Sequence, residues 1–454
     1  MREEKFFLFK KVFHKGEQME RALFQKHLHN KLKTTYEAMD YYGFDNLLIF
    51  AGEPAFHFKD DTRQSFKTNP YFNLFCPLQT QGHLIQLTHK KPPKLYYYHP
   101  QDHWGAWQAF HKSFWTESFE VIEYKNFEDI RKYLLNLKST SLISAPHPFL
   151  ESLGYSLNDE RLISWINWAR TTKSDYEIDC LREANHIASK GHKAVRSHFF
   201  QKDDASEFDL NLVFLKATQE ESECLPYKPI IAFDNNASIL HYENKKFHKK
   251  SKLLLIDAGC SFHGYASDIT RTYLKNDGHE TFKKLLLKLQ EIQSSLCSKV
   301  KAELSFLMLF HESQKLIAKA LYELKILNAP VFEDEKTLFK VVSYFYPHSL
   351  GHMLGLQVHD VGGKQSNEFG QITKSSLSHL RAELVLKSKH VVTIEPGIYF
   401  NKFLMKKLKD SAESKYVNWP LVEKFIPLGG MRIEDDVLVK KAGFENLTRK
   451  YLEI

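Results

Sequence analysis

The sequence predicts an α+β protein in two parts, a smaller α/β N-terminal domain over residues 1–165 and a larger α+β domain over residues 166–454. Three observations carry this expectation. At 454 residues the chain is too long for one ordinary domain, which takes roughly 100–200 residues. Hydrophobic residues make up 43% and charged residues 26%, the balance of a globular chain and not of a disordered or collagen-like one. Apolar runs of strand length mix with segments of helical spacing from one end to the other.

Taken in order, Glu17–Tyr42 has apolar residues at helical spacing, and Asn46–Ala51 (NLLIFA) is a buried strand ended by Gly52-Glu53-Pro54. Short strands follow at His83–Leu87 and Lys94–Tyr98, then a helix at Phe127–Leu137. No Pro/Gly/Ser linker marks the domain boundary. A long helix begins near Ser174 with Asp175 as its expected cap, and Ile178, Leu181, Ala184 and Ile187 give it an apolar face. Strands are expected at Pro229–Phe233, Lys252–Ala258 and Tyr265–Leu274, and helices at His279–Val300 and Leu304–Leu324. The last hundred residues read as strands alternating with loops.

The formal charge is +8. The basic stretches Asn244–Lys252 and Lys402–Lys409 carry no nucleic-acid motif and lie between strand-like segments, so they read as solvated faces. Neither a nucleic-acid nor a membrane partner is expected. The longest apolar runs, such as Leu47–Ala51, fall far short of the ~20 residues of a membrane span. The apolar core of MREEKFFLFKKVF is shorter than the about 7–15 residues of a secretory h-region. The five cysteines are widely spaced with no CxxC pair, and a reducing cytoplasm is the expected location.

Four segments carry chemistry. In Lys252–Leu274 (KLLLIDAGCSFHGYASDITRTYL), a hairpin pivoting between Phe262 and His263 would set Asp257 opposite Asp268. Directly opposed residues hold their Cβ atoms about 4.5–5.5 Å apart, where like charges repel. Two such carboxylates need a shared proton or cations between them. The hairpin alone leaves open the alternative that one aspartate caps a turn. In His348–Gly363 (HSLGHMLGLQVHDVGG), Gly351 and Gly355 allow a tight backbone that could aim His348, His352 and His359 at one point. In Val391–Phe400 (VVTIEPGIYF), the strand delivers Glu395 just before Pro396-Gly397. In Gly429–Val439 (GGMRIEDDVLV), Arg432 and Glu434 share a face by period-two alternation. Four carboxylates and an imidazole are too much negative charge for one divalent ion and suit two of them about 3.5–4 Å apart. The oxygen-rich set favours Mn²⁺.

These segments resemble the pita-bread metallopeptidases, in their bacterial Xaa-Pro dipeptidase (prolidase) branch, and FKDDTRQSFKTNP resembles that branch's segment after its first strand. The resemblance covers most of the chain beyond an N-terminal extension. It implies a C-terminal pita-bread (creatinase/aminopeptidase-like) domain and an N-terminal domain for dimerisation and pocket closure. It implies a homodimer that hydrolyses Xaa-Pro dipeptides with a free C-terminal proline, through a hydroxide bridging two divalent ions. By the same resemblance Asp257 binds one ion, Asp268 and Glu434 bridge, and His352 and Glu395 complete the other. Glu395 also moves the proton. His348, His359 and His241 hold substrate and stabilise the oxyanion, and Arg432 stands beside the bridging glutamate. Tyr227, together with Asp61 of the partner subunit, lines the substrate pocket. Two other readings stand beside this one: aminopeptidase P-like removal of an N-terminal residue before proline, and a metal-free pita-bread binding protein. The chain departs from the family pattern at Ser388-Lys389-His390, where Pro-Gly-Met is usual, and at Ala302-Glu303, where Pro-Gly is usual. Phe306 stands where relatives near this branch carry a pocket tyrosine.

Overall fold

The computed structural model describes residues 2–100, 110–247, 250–275, 279–328, 334–373 and 380–453, with residues 2–18 as helical backbone only. The chain divides into two compact units, Met1–Asp179 with Asn367–Gln371, and Cys180–Ser366 with Ile372–Ile454. Among the described residues, no helix is long and apolar enough to cross a membrane.

The N-terminal unit is built on a mixed sheet of β1 (Asn46–Phe50), β2 (Leu84–Thr88), β3 (Lys94–Tyr98), β4 (Glu120–Tyr124), β5 (Thr140–Ile143) and β6 (Ser156–Leu157), in the order β4-β3-β2-β1-β5-β6. The apolar run of β1 is buried along its whole length, as befits a strand flanked by β2 antiparallel and β5 parallel. Helix Phe127–Leu134 links β4 to β5 and starts on a reciprocal cap between Asn126 and Asp129. The first helix runs over Arg2–Tyr42, longer than the segment expected from apolar spacing. Its Phe24, Leu28, Thr35 and Met39 are buried at helical spacing.

The second unit packs helices Glu280–Lys299, Phe306–Glu323 and Glu335–Phe345 against short sheets. The strands are β7 (Ile230–Phe233), β8 (Leu253–Asp257), β9 (Ser261–Phe262), β10 (Tyr265–Ala266), β11 (Thr270–Leu274), β12 (Val391–Ile394), β13 (Gly397–Tyr399), β14 (Gly430–Arg432), β15 (Asp435–Val439) and β16 (Phe444–Asn446). They form β11-β8-β7, β12-β15-β16, β13-β14 and the β9–β10 hairpin. One continuous core joins Leu285, Leu289 and Phe310 of the helices to Ile394, Met431 and Val437 of the strands, and Phe306 is buried within it.

Several expectations are corrected. Helix Asp175–Gln201 is capped by Ser174 and not by Asp175: the Glu177 N–H donates to Ser174 Oγ (3.2 Å), and the Ser174 N–H donates to Glu177 Oε2 (2.7 Å). The strand expected over Tyr265–Leu274 is broken, because the Asp268 N–H leaves the ladder and donates to Asp436 Oδ2 (3.1 Å). The last hundred residues are not only strands and loops. The basic stretch Lys402–Lys409 is a helix capped by Asn401, with Met405 and Leu408 buried. Of Asn244–Lys252, residues 248–249 lie outside the described residues, and the remainder is loop.

Candidate metal centre

The hairpin register places the first two carboxylates. Asp257 pairs with Thr270, and Phe262 pairs with Tyr265. The turn therefore lies between His263 and Gly264, whose φ angles are 47° and 85°. A two-residue turn of this kind needs left-handed backbone at both positions. The expected pivot at Phe262-His263 is thus one residue early, and Asp268 does not face Asp257 directly but sits diagonally from it. The two still share a face. The Tyr227 hydroxyl lies 2.8 Å from Asp257 Oδ1 and 2.6 Å from Asp268 Oδ1. One hydroxyl proton cannot serve both carboxylates, so further positive charge is needed between them. Gly259 makes the arrangement possible, since a Cβ there would stand 1.9 Å from Ser267 O and 3.0 Å from the Tyr227 ring.

The histidine segment is pressed against β12 in the same way. A Cβ on Gly351 would lie 2.0 Å from Thr393 O. This approach lets the His352 N–H donate to Thr393 Oγ1 (3.1 Å). His352 Nδ1 donates to Met353 O (3.0 Å), which leaves Nε2 as the ring nitrogen turned to the cage. That Nε2 is 3.3 Å from Asp268 Oδ2 and 3.6 Å from Glu395 Oε1. The Thr393 hydroxyl donates to Glu395 Oε1 (3.3 Å), and the Glu395 N–H donates to Leu350 O (2.8 Å).

Glu434 and Arg432 close the cage. The Glu434 N–H donates to Thr270 O (3.0 Å), and its Oε2 accepts from the Thr270 hydroxyl (2.6 Å). Arg432 donates from Nη2 to Asp257 Oδ2 (2.5 Å), from Nε to Thr270 Oγ1 (3.1 Å) and from Nη1 to the Tyr399 hydroxyl (2.8 Å). Tyr399 passes its own proton to His348 Nε2 (2.9 Å), while His348 Nδ1 donates to Ser349 O (2.8 Å). Donor atoms of Asp268, His352 and Glu434 lie within 4.8 Å of one another, all on buried residues.

The electrostatics follow from burying so many acids together. Burial, with the nearby carboxylates, pushes Asp257 up to about 6, Glu395 up to about 7, and Glu434 well above the usual carboxylate range. Asp268 goes down despite burial, because His352 donates to it. His352 rises to about 9: burial opposes its charge, but Asp268 and Glu395 outweigh that. His359, edge-on to His352 with ring centroids 4.5 Å apart, is lowered to about 4 by burial and then by the His352 charge. Four acids face Arg432 and one imidazole, so the set is short of positive charge. An oxygen-rich, nitrogen-poor cage of this kind fits divalent cations.

The structure thus gathers Asp257, Asp268, His352, Glu395, Glu434, Arg432, Tyr227, His348 and His359. His241 is exposed. Asp61 is exposed on a loop of the N-terminal unit. Thr270, Thr393, Tyr399 and Asp436 are further members of the site that the motifs do not single out, although each lies two residues from a site residue or two such steps along the same segment. Asp436 accepts from the Asp268 N–H and from Asn185 Nδ2 (2.7 Å), and burial raises its carboxyl. Cys260 is a buried free thiol pushed up to about 12 by burial.

Residues 179–441 match the model of metallopeptidase family M24, and residues 22–168 match that of the Xaa-Pro dipeptidase N-terminal domain. The chain belongs to metallopeptidase family M24. M24 relatives include the Xaa-Pro dipeptidase of Pseudoalteromonas atlantica, 34% identical over 438 residues, covering 94% of this chain and 98% of that one. The Xaa-Pro dipeptidase of Proteus mirabilis is 35% identical over 441 residues, with the same coverage of 94% and 98%. The fold is shared with zinc-substituted Escherichia coli aminopeptidase P in complex with product (TM-score 0.72, 21% identity, 96% of each chain covered). It is also shared with proline aminopeptidase P II from Yersinia pestis (TM-score 0.70, 22% identity, 95% of this chain and 97% of that one). The resemblance read in the four motifs is borne out: this is an M24 enzyme of the Xaa-Pro dipeptidase branch, with a pita-bread domain behind a separate N-terminal domain.

Proposed function

We propose that the enzyme hydrolyses Xaa-Pro dipeptides with a free C-terminal proline, with two divalent ions held by Asp257, Asp268, His352, Glu395 and Glu434. The observation that carries this is the meeting of three buried carboxylates and the half-buried Glu395 with one imidazole whose Nδ1 proton is already committed to Met353 O. When bound, the ions supply an acidified water near neutral pH and polarise the scissile carbonyl. Mn²⁺ suits such a set of oxygen donors with one imidazole.

The chain's own groups do the rest. Glu395, beside His352 and at the end of its strand, is placed to take a proton and return it to the leaving prolyl nitrogen. His359, edge-on to His352, is the donor for the developing oxyanion. The scissile prolyl nitrogen has no N–H, so recognition falls on the ring and the carboxylate, the task of His348 and His241. Arg432 is committed at all three of its nitrogens to Asp257, Thr270 and Tyr399, and its part is to hold ligands and orient His348 through Tyr399. We assign the pocket's length limit to the N-terminal domain in a cytoplasmic homodimer, with Asp61 of the partner subunit at its edge. Tyr227 holds Asp257 and Asp268 in place and lines the substrate pocket.

The test compares Xaa-Pro with Xaa-Pro-Yaa peptides on Mn²⁺-loaded enzyme. The dipeptide is expected to have the higher kcat/KM. Faster cleavage of the tripeptide would reject the dipeptidase reading in favour of an aminopeptidase P-like one.

A further inference from the structure

Away from the cage, helix Asp175–Gln201 and residues 449–453 line a hollow of about 490 Å³. Lys193, Arg196 and Phe200 reach it from the helix, at the spacing that puts residues on one helical face. Lys450 and Tyr451 reach it from the C-terminal segment. Cations nearby find acids: Lys275 pairs with Asp203 (2.7 Å), and Arg182 and Lys440 pair with Glu445 (2.9 and 2.8 Å). Lys193, Arg196 and Lys450 have no carboxylate within ion-pair distance among the described residues. Arg196 stands over the Tyr273 ring at 5.7 Å and Lys450 over the Tyr451 ring at 5.3 Å. Glu453, the one acid in the lining, is exposed and pairs with none of the three.

The wall is also held rigidly. Arg271 donates to Leu452 O (3.2 Å) and Glu453 O (3.3 Å), and Arg449 donates to Asp435 Oδ2 (2.7 Å) and Gln293 Oε1 (2.7 Å). A concave site with an excess of one sign concentrates field on an anion, and a preorganised wall lowers the entropy lost on binding.

We propose that this hollow binds a small phosphorylated anion bearing a planar group. The phosphate lies among Lys193, Arg196 and Lys450, and the planar group lies against the exposed ring of Phe200, the Tyr451 ring being already stacked on His186. The site is independent of the hydrolytic centre. Its test is calorimetric titration of adenosine monophosphate, and separately of inorganic phosphate, into metal-loaded enzyme at fixed ionic strength. The same titrations are run on an Arg196→Ser/Lys450→Ser double variant and on Phe200→Ser, with circular dichroism confirming their folds. Saturable nucleotide binding, at least tenfold weaker in the double variant, is expected. Phe200→Ser is expected to weaken the nucleotide and leave phosphate unchanged. The proposal is overturned by no saturable nucleotide binding, by an unchanged Kd in the double variant (binding at the metal centre instead), or by a nucleotide that binds no more tightly than phosphate.

Discussion

The Tyr399 hydroxyl stands between Arg432, which donates to it, and His348, which accepts from it. Tyr399→Phe keeps the ring in the core and removes both bonds. Hydrogen bonds to charged groups contribute about 1.5–3 kcal/mol, so kcat on Xaa-Pro is expected to fall roughly 10–100-fold. Metal content measured by elemental analysis is expected to stay at the wild-type level. Unchanged kcat would show that the line from Arg432 to His348 is idle in turnover. The residue escaped notice in the sequence because GIYF reads as apolar strand. Counting by two from Glu395 leads to it, as counting by two from Asp268 leads to Thr270. Residues that announce themselves by charge in an apolar setting, such as Asp257 and Glu434, were legible. Hydroxyls that only orient those charges were not.

Elements show where backbone geometry departs from what residue type predicts. Glu303 and Lys389 occupy the positions of the glycines usual in the family's turns, yet keep left-handed φ angles of 66° and 71°. A side chain there costs about 1–2 kcal/mol, offset in part by the roughly 0.5–1 kcal/mol of extra chain freedom that glycine carries into the unfolded state. Glu303→Gly and Lys389→Gly are each expected to raise stability by up to about 1 kcal/mol, read as a Tm higher by a few degrees. A lowered Tm would mean that the side chains, not the turns, hold these loops. A second element-scale device joins the first helix to Glu177. Lys31 Nζ lies 2.9 Å from Glu177 Oε2, and His27 Nε2 donates to Leu74 O (2.8 Å). Burial would raise Glu177, but Lys31 and His27 hold it down to about 2, and burial lowers His27 to about 4. Both groups bind fewer protons folded than unfolded, Glu177 between about 4.5 and 2 and His27 between about 6.5 and 4. Stability should therefore fall as pH drops through that range, with Glu177→Gln less stable at pH 7 but flatter below about 4.5. Thermal melts across pH decide it, and an identical pH slope in the variant would contradict the assignment. At this scale the hairpin register was misread by one residue because charge pairing was weighed before turn chemistry, which asks for Gly264 as the second turn residue. Helix Lys402–Lys409 was missed because lysines mask its two buried positions.

For the whole molecule, the two-part plan could be read from chain length and most strands from apolar runs. What no local pattern signals is residues 367–371 joining the N-terminal unit, where Phe369 packs on Trp165 and Tyr41. The convergence of the four motifs is likewise a tertiary fact, produced by close backbone approaches at Gly259 and Gly351. Gly259→Ala is expected to cost both stability and metal, since the clash is with backbone. A variant with normal metal content and Tm would show that the crossing can relax. The central claim is that the cage holds a pair of divalent ions and hydrolyses nothing without them. Elemental analysis of the purified wild type and of Glu434→Gln, alongside Xaa-Pro hydrolysis, tests it most directly. About two equivalents per wild-type chain are predicted, with loss of both metal and turnover in the variant. A wild type with under about one equivalent and no response to Mn²⁺, or a variant with full metal and normal turnover, would contradict the account.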